Sequence, residues 1–139
     1  MIVYRITRTK FASDLSGAGG LLAAGRCNAK GTPVIYAAEH VSLALAEVLA
    51  HLDPTDLPLD YSVVTLEIPA TVAAIRCSPA EALAQSAKPL APIYIVPSVI
   101  VPQENNVVLF PAARGFRARV IKVEPFPFDE RLLQLKVRP

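Results

Sequence analysis

Thirteen of the 139 residues are proline, nearly twice the ~5% of an average chain, and no other feature of the sequence limits the fold as strongly. Proline fixes φ, has no N–H to offer a ladder or a helix, and pushes the residue before it out of helical conformation. Here the prolines fall at the edges of apolar runs: Pro33 opens "PVIYA", Pro69 closes "YSVVTLEIP", and Pro97 and Pro102 interrupt "IYIVPSVIVP". The chain is therefore expected to consist of many short elements with sharp stops. An apolar share of 53% against 19% charged gives those elements a well-filled core and argues against disorder. A single domain over residues 1–139 is expected at this length.

Residues 1–7, 33–37, 61–69, 106–110 and 116–126 have the β-rich character of strands. The run 93–102 is expected as two strand pieces bent at Pro97-Ser98, because Pro97 removes a ladder donor. "AEHVSLALAEVLAHL" (38–52) reads as a helix stopped by Asp53-Pro54. "SPAEALAQSA" (78–87) opens with Ser78 as N-cap, Pro79 in the first turn and Glu81 completing a capping box. "FDERLLQL" (128–135) ends the chain as a helical turn or short strand. Residues 12–25 form a glycine-rich connection whose Gly17-Ala18-Gly19-Gly20-Leu21-Leu22 fits neither G-x-G-x-x-G nor a Walker loop. Turn chemistry explains those glycines. Strands outnumber helices without alternating with them, which predicts an α+β chain with a mostly antiparallel β core and few helices.

A net charge of +2 is too small to imply direct nucleic-acid binding. Basic residues do gather at Arg5, Arg8 and Lys10 and again at Arg114, Arg117, Arg119 and Lys122; solvated strand faces and an anion-binding pocket or partner surface are both open readings. Cys27 and Cys77 have no framework spacing and no Cys/His ligand set around them, so a reduced, cytoplasmic chain is expected. No apolar run approaches the ~20 residues of a membrane span, and "MIVYRITRTK" is too charged for a signal peptide.

Four residues could carry chemistry. On a helical wheel Val41, Leu45, Val48, Leu49 and Leu52 form one apolar stripe, and Glu47 lies nearly opposite, near His40, His51 and several alanines. Glu47 is then either a solvated carboxylate, paired with His51 one turn on, or the acid on the floor of a cleft. Arg26 lies in "GRCNAKG" after a glycine, as an ordinary surface arginine or as a phosphate clamp. Tyr36 is a core tyrosine or an aromatic platform for a ligand ring. Ser98 is a turn serine or a polar group aimed into a pocket; without a nearby His-Asp pair it is not a nucleophile.

Taken together, "YRI" (4–6), "DLSGAGG", "GRCNAKG", "VIYAAEHVSLALAEVLAHL", "VPSVIVPQENNVVLFP" and "PFPFDERL" resemble the RES-domain family along nearly the whole chain. The Arg, Glu and Ser that name the family fall on Arg26, Glu47 and Ser98. The resemblance implies a toxin of a bacterial toxin–antitoxin pair with an ADP-ribosyltransferase-like fold. It also implies a cognate helix-turn-helix antitoxin that covers the cleft. Members consume NAD as a substrate, by hydrolysis, phosphorolysis or ADP-ribose transfer to a protein. Neither a metal nor a further cofactor is implied. By resemblance, Glu47 would stabilise the ribosyl cation left when nicotinamide departs, Arg26 would hold the diphosphate, Tyr36 would stack on nicotinamide and Ser98 would hydrogen-bond in the pocket. The chain departs from the family pattern at Cys27, where tryptophan is usual, and in the short segment between Pro69 and Pro97, so a differently shaped rim is expected. The alternatives to free NAD cleavage are a specific mono-ADP-ribosyltransferase and a catalytically degenerate nucleotide- or antitoxin-binding module.

Overall fold

A computed structural model describes residues 1–53, 55 and 59–134. The strands are β1 (Ile2–Arg8), β2 (Ile35–Ala38), β3 (Tyr61–Glu67), β4 (Ala74–Arg76), β5 (Ile93–Pro97), β6 (Asn105–Leu109) and β7 (Arg119–Pro125). The helices are α1 (Gly19–Leu22), α2 (Val41–His51), α3 (Pro79–Gln85) and α4 (Glu130–Gln134). All seven strands join one sheet in the order β4-β5-β6-β2-β1-β3-β7. Among the described residues only β4 and β5 pair in parallel, so the expected α+β class with a mostly antiparallel core stands.

Side chains alternate between the two faces of each strand, and the core divides accordingly. One face buries Val3, Ile35, Val64, Leu66 and Leu109 beneath connecting segments that contribute Leu15, Val72 and Phe116. The other face carries two separate clusters. Ile6, Ala38 and Val63 pack under Leu43 and Ala44 of α2, while Val34, Tyr94, Val96 and Val108 pack with Ala82 of α3. Between those clusters the sheet is left open. At the same place β1 and β2 are joined by a single registered pair, Tyr4 with Ala38, whereas β1 and β3 pair over seven positions.

The capping box at Ser78 forms as expected, with the Glu81 N–H donating to the Ser78 Oγ at 3.1 Å and the Ser78 N–H to the Glu81 carboxylate at 3.3 Å. Two expectations need correction, and one strand has no counterpart in the sequence reading. The second strand piece of 93–102 is a turn, because the Ser98 Oγ accepts the N–H groups of Ile100 and Val101 that a ladder would need. The stretch after Pro69 holds a three-residue strand, β4, too short to show periodicity. The glycine-rich connection contains α1 and is packed rather than loose: a Cβ at buried Gly20 would overlap the Thr32 carbonyl oxygen. Pro54, half of the expected helix stop, lies outside the described residues, as does Leu135.

The wheel reading of α2 also changes. Leu43 and Ala44 are the buried positions, Leu45 and Val48 of the expected stripe pack partly buried against the same cluster, and Val41 is exposed, so the helix is rotated by roughly a quarter turn from the stripe of large apolar residues. Small Ala44 lets the helix approach the sheet, and the rotation carries Glu47 inward.

Candidate active site

The open part of the sheet forms the base of a cleft of about 440 Å³. Arg26, Tyr36 and Glu47 all line it, and Ser98 is buried directly behind Glu47. The sequence-expected residues therefore meet at one place, though not in equal positions.

Glu47 is half-buried on the inner side of α2. Its Oε1 accepts from the Ser98 Oγ at 2.8 Å and from the Asn106 Nδ2 at 2.9 Å. No hydrogen bond among the described residues reaches Oε2, so the carboxylate is held by one oxygen and presents the other. Ser98 can donate in this direction because its oxygen already accepts from two backbone N–H groups, at 3.1 and 3.0 Å. The Glu47–His51 side-chain pair, one of the two open readings of Glu47, does not form. Instead the His51 Nδ1 lies 2.8 Å from the backbone carbonyl of Glu47.

Tyr36 stands on β2 and is 40% exposed. Its hydroxyl donates to the Oδ1 of buried Asn28 at 2.5 Å and accepts from the Cys27 N–H at 3.1 Å. Asn28 is itself fixed by donating to the carbonyls of Ala23 and Ala29. The ring is thus pinned at its tip and open on its face. Gly25 is required beside it, since a Cβ there would stand 2.5 Å from both the Tyr36 hydroxyl and Asn28 Oδ1. Burial pushes the Tyr36 phenol up to about 12. It pushes the Cys27 thiol, behind the same turn, up to about 11. Both side chains are therefore neutral near pH 7.

Arg26 projects from this turn into the cleft with no hydrogen bond or ion pair among the described residues. Arg5, where β1 and β2 part, also contributes to the cleft lining, but its side chain leaves β1 on the face of Val3, away from α2. Burial lowers its pKa, and it donates a hydrogen bond to the Asp14 carbonyl at 3.2 Å. The remaining basic residues behave as a solvated surface: Arg117 bonds Thr71, Arg119 pairs with Glu67 and Lys122 with Glu124, all exposed.

The sequence reading does not single out Asn28 or Asn106. Each is an asparagine among apolar neighbours, and burial of a carboxamide beside an expected site residue is the signal that would find it.

In fold, the chain is similar to one from the crystal structure of the M. tuberculosis MbcT–MbcA toxin–antitoxin complex. The TM-score is 0.67 over 96% of this chain and 87% of that one. At 16% identity this likeness establishes the architecture alone. The RES domain model matches residues 2–92. "Toxin Res" of Photorhabdus laumondii is 34% identical, with 98% of this chain and 99% of that protein covered. "Prs ADP-ribosylating toxin" of a Sphingobium strain is 34% identical over 91% of each. "Toxin Res" of Pseudomonas putida is 36% identical over 95% of this chain and 99% of that one. The chain belongs to the RES-domain family, the family of these toxins.

Proposed function

We propose that this chain is the toxin of a toxin–antitoxin pair and that it cleaves the nicotinamide–ribose bond of NAD, releasing nicotinamide. ADP-ribose then passes to water, phosphate or a protein. The observation that carries the reading is the Glu47 carboxylate, held through Oε1 by Ser98 and Asn106 in the cleft that Arg26 and Tyr36 also line.

As the bond breaks, its electron pair leaves with nicotinamide and positive charge develops on the ribose. A carboxylate already oriented in a partly desolvated cleft stabilises that charge without reorganising. The exposed face of Tyr36 offers a stacking surface for the nicotinamide ring, and its high pKa suits it to that role rather than to proton transfer. Arg26 supplies a cation for the diphosphate, in the planar form that suits phosphate oxygens. The cleft volume lies within the ~300–1,000 Å³ usual for small-molecule sites. NAD enters here as substrate, and none of these steps calls for a metal or a further cofactor.

The names of the relatives support the toxin role, and the structural neighbour's place in a toxin–antitoxin complex supports an antitoxin partner. We infer a helix-turn-helix antitoxin that covers the cleft of a cytoplasmic protein. No helix among the described residues is long and apolar enough to cross a membrane. The Sphingobium relative's name favours a second reading, specific mono-ADP-ribosylation of a cellular protein with little free NAD loss.

The test incubates purified, antitoxin-free protein with NAD, with and without phosphate or cell lysate, and follows nicotinamide by chromatography. Release that is lost in Glu47→Ala is expected, and the ADP-ribose product identifies the acceptor. Folded protein that releases none under any condition would leave a catalytically silent nucleotide- or antitoxin-binding module.

A further inference from the structure

We propose that His51 is the acceptor-side general base, taking the proton from the hydroxyl group that attacks the ribose. The proposal rests on the NAD-cleavage reading and adds to it the group that activates the acceptor.

Its Nδ1 lies 2.8 Å from the Glu47 carbonyl oxygen. A carbonyl only accepts, so a neutral ring in this bond carries its hydrogen on Nδ1 and keeps a lone pair on Nε2. The bond between positions 47 and 51 therefore sets the tautomer that a base requires. Both residues line the same cleft, about one helical turn apart, ~6 Å along the axis. Glu47 is half-buried while His51 is exposed, which puts the imidazole on the side from which an acceptor enters.

Tyr36, Cys27, the two arginines and Glu47 are poorer candidates. The Tyr36 phenol keeps its proton up to about 12 and already donates it to Asn28. The Cys27 thiol is buried and keeps its proton up to about 11. Arg5 and Arg26 have no lone pair to offer. Glu47 is committed through Oε1 to two donors, and protonating it would remove the negative charge that the ribosyl cation needs.

The step balances without an oxidant or reductant. The C1′–N bond breaks with its electron pair going to nicotinamide, a bond forms from C1′ to the acceptor oxygen, and the hydroxyl proton moves to Nε2 and then to solvent. General-base assistance of this kind contributes typically ~10²–10⁴-fold.

The discriminating experiment offers the complete protein a nucleophile with no proton to give up, the azide anion, in competition with water. The readout is the ratio of ADP-ribose to ADP-ribosyl azide formed from NAD. Replacement of His51 by alanine should lower that ratio by at least ~10²-fold, the weak end of general-base effects, while azide adduct continues to form. Added imidazole should restore ADP-ribose formation. An unchanged ratio, or a parallel loss of both products in His51→Ala and His51→Gln, would show a structural residue and overturn the proposal. Wild-type protein that releases no nicotinamide would overturn the NAD-cleavage reading itself, and this inference with it.

Discussion

Glu47 is held by two donors of different origin, the Ser98 hydroxyl from the β5–β6 turn and the Asn106 amide from β6, and each can be removed separately. A hydrogen bond to a charged group contributes ~1.5–3 kcal/mol. Asn106→Ala is therefore expected to lower nicotinamide release by roughly 10–100-fold, with the fold intact by circular dichroism. Ser98→Ala should cost a similar factor in turnover and also ~1–3 kcal/mol in stability, because the N–H groups of Ile100 and Val101 lose their acceptor. Equal melting temperatures for the two variants would contradict that division. A third expectation concerns the tyrosine: Gly25→Ala should raise KM for NAD and destabilise the protein by ~1–3 kcal/mol, since the added methyl displaces the Tyr36 hydroxyl from Asn28. Among these residues the charged and aromatic members are legible in the sequence, because their chemistry is visible in the residue type. Asn28 and Asn106 are not, since they orient another side chain and their value appears only when a partner 8 or 59 positions away is placed beside them.

Elements are legible where a local signal fixes them. The capping box at Ser78 and Glu81 needs only four consecutive residues, and it forms; Ser78→Ala should lower stability by ~1 kcal/mol, read from a urea midpoint, with little change in turnover. The rotation of α2 is not legible in this way. Counting apolar residues favours Val41, Leu45, Val48, Leu49 and Leu52, of which Leu45 and Val48 do pack partly buried against Ile6, Ala38 and Val63, but the fully buried positions over that cluster are Leu43 and Ala44. A helix can turn a glutamate inward when partners wait for it, and those partners belong to distant strands. Leu43, 1% exposed, is accordingly the helix's anchor: Leu43→Ala should cost ~2–5 kcal/mol, whereas Val41→Ala at the exposed position should cost well under that. The turn at residues 98–101 escapes the sequence for a related reason, since a serine that captures two backbone N–H groups looks in sequence like any serine after proline.

In the molecule as a whole, the site exists because two apolar clusters under α2 and α3 leave a strip of sheet uncovered between them. Burial around that strip has a consequence for pH. The Cys27 thiol and Tyr36 phenol are uncharged when protonated, and the fold keeps them so up to about 11 and about 12. Unfolding returns them to about 8.5 and about 10, so the unfolded chain loses protons first. Their stabilising contribution is complete below about pH 8.5 and declines as pH rises towards 11 for Cys27 and 12 for Tyr36. Urea midpoints should therefore fall between about pH 8 and about pH 10.5, and less steeply in Cys27→Ala. The proposed chemistry depends above all on Glu47 acting at the reacting ribose rather than holding the fold or merely binding NAD. Single-turnover nicotinamide release, set beside calorimetric NAD affinity for wild type and Glu47→Gln, separates these roles. A Kd within a few-fold of wild type and release slowed by at least ~10²-fold are expected. Release within a few-fold of wild type, or a loss explained entirely by weaker binding, would refute the catalytic role of Glu47.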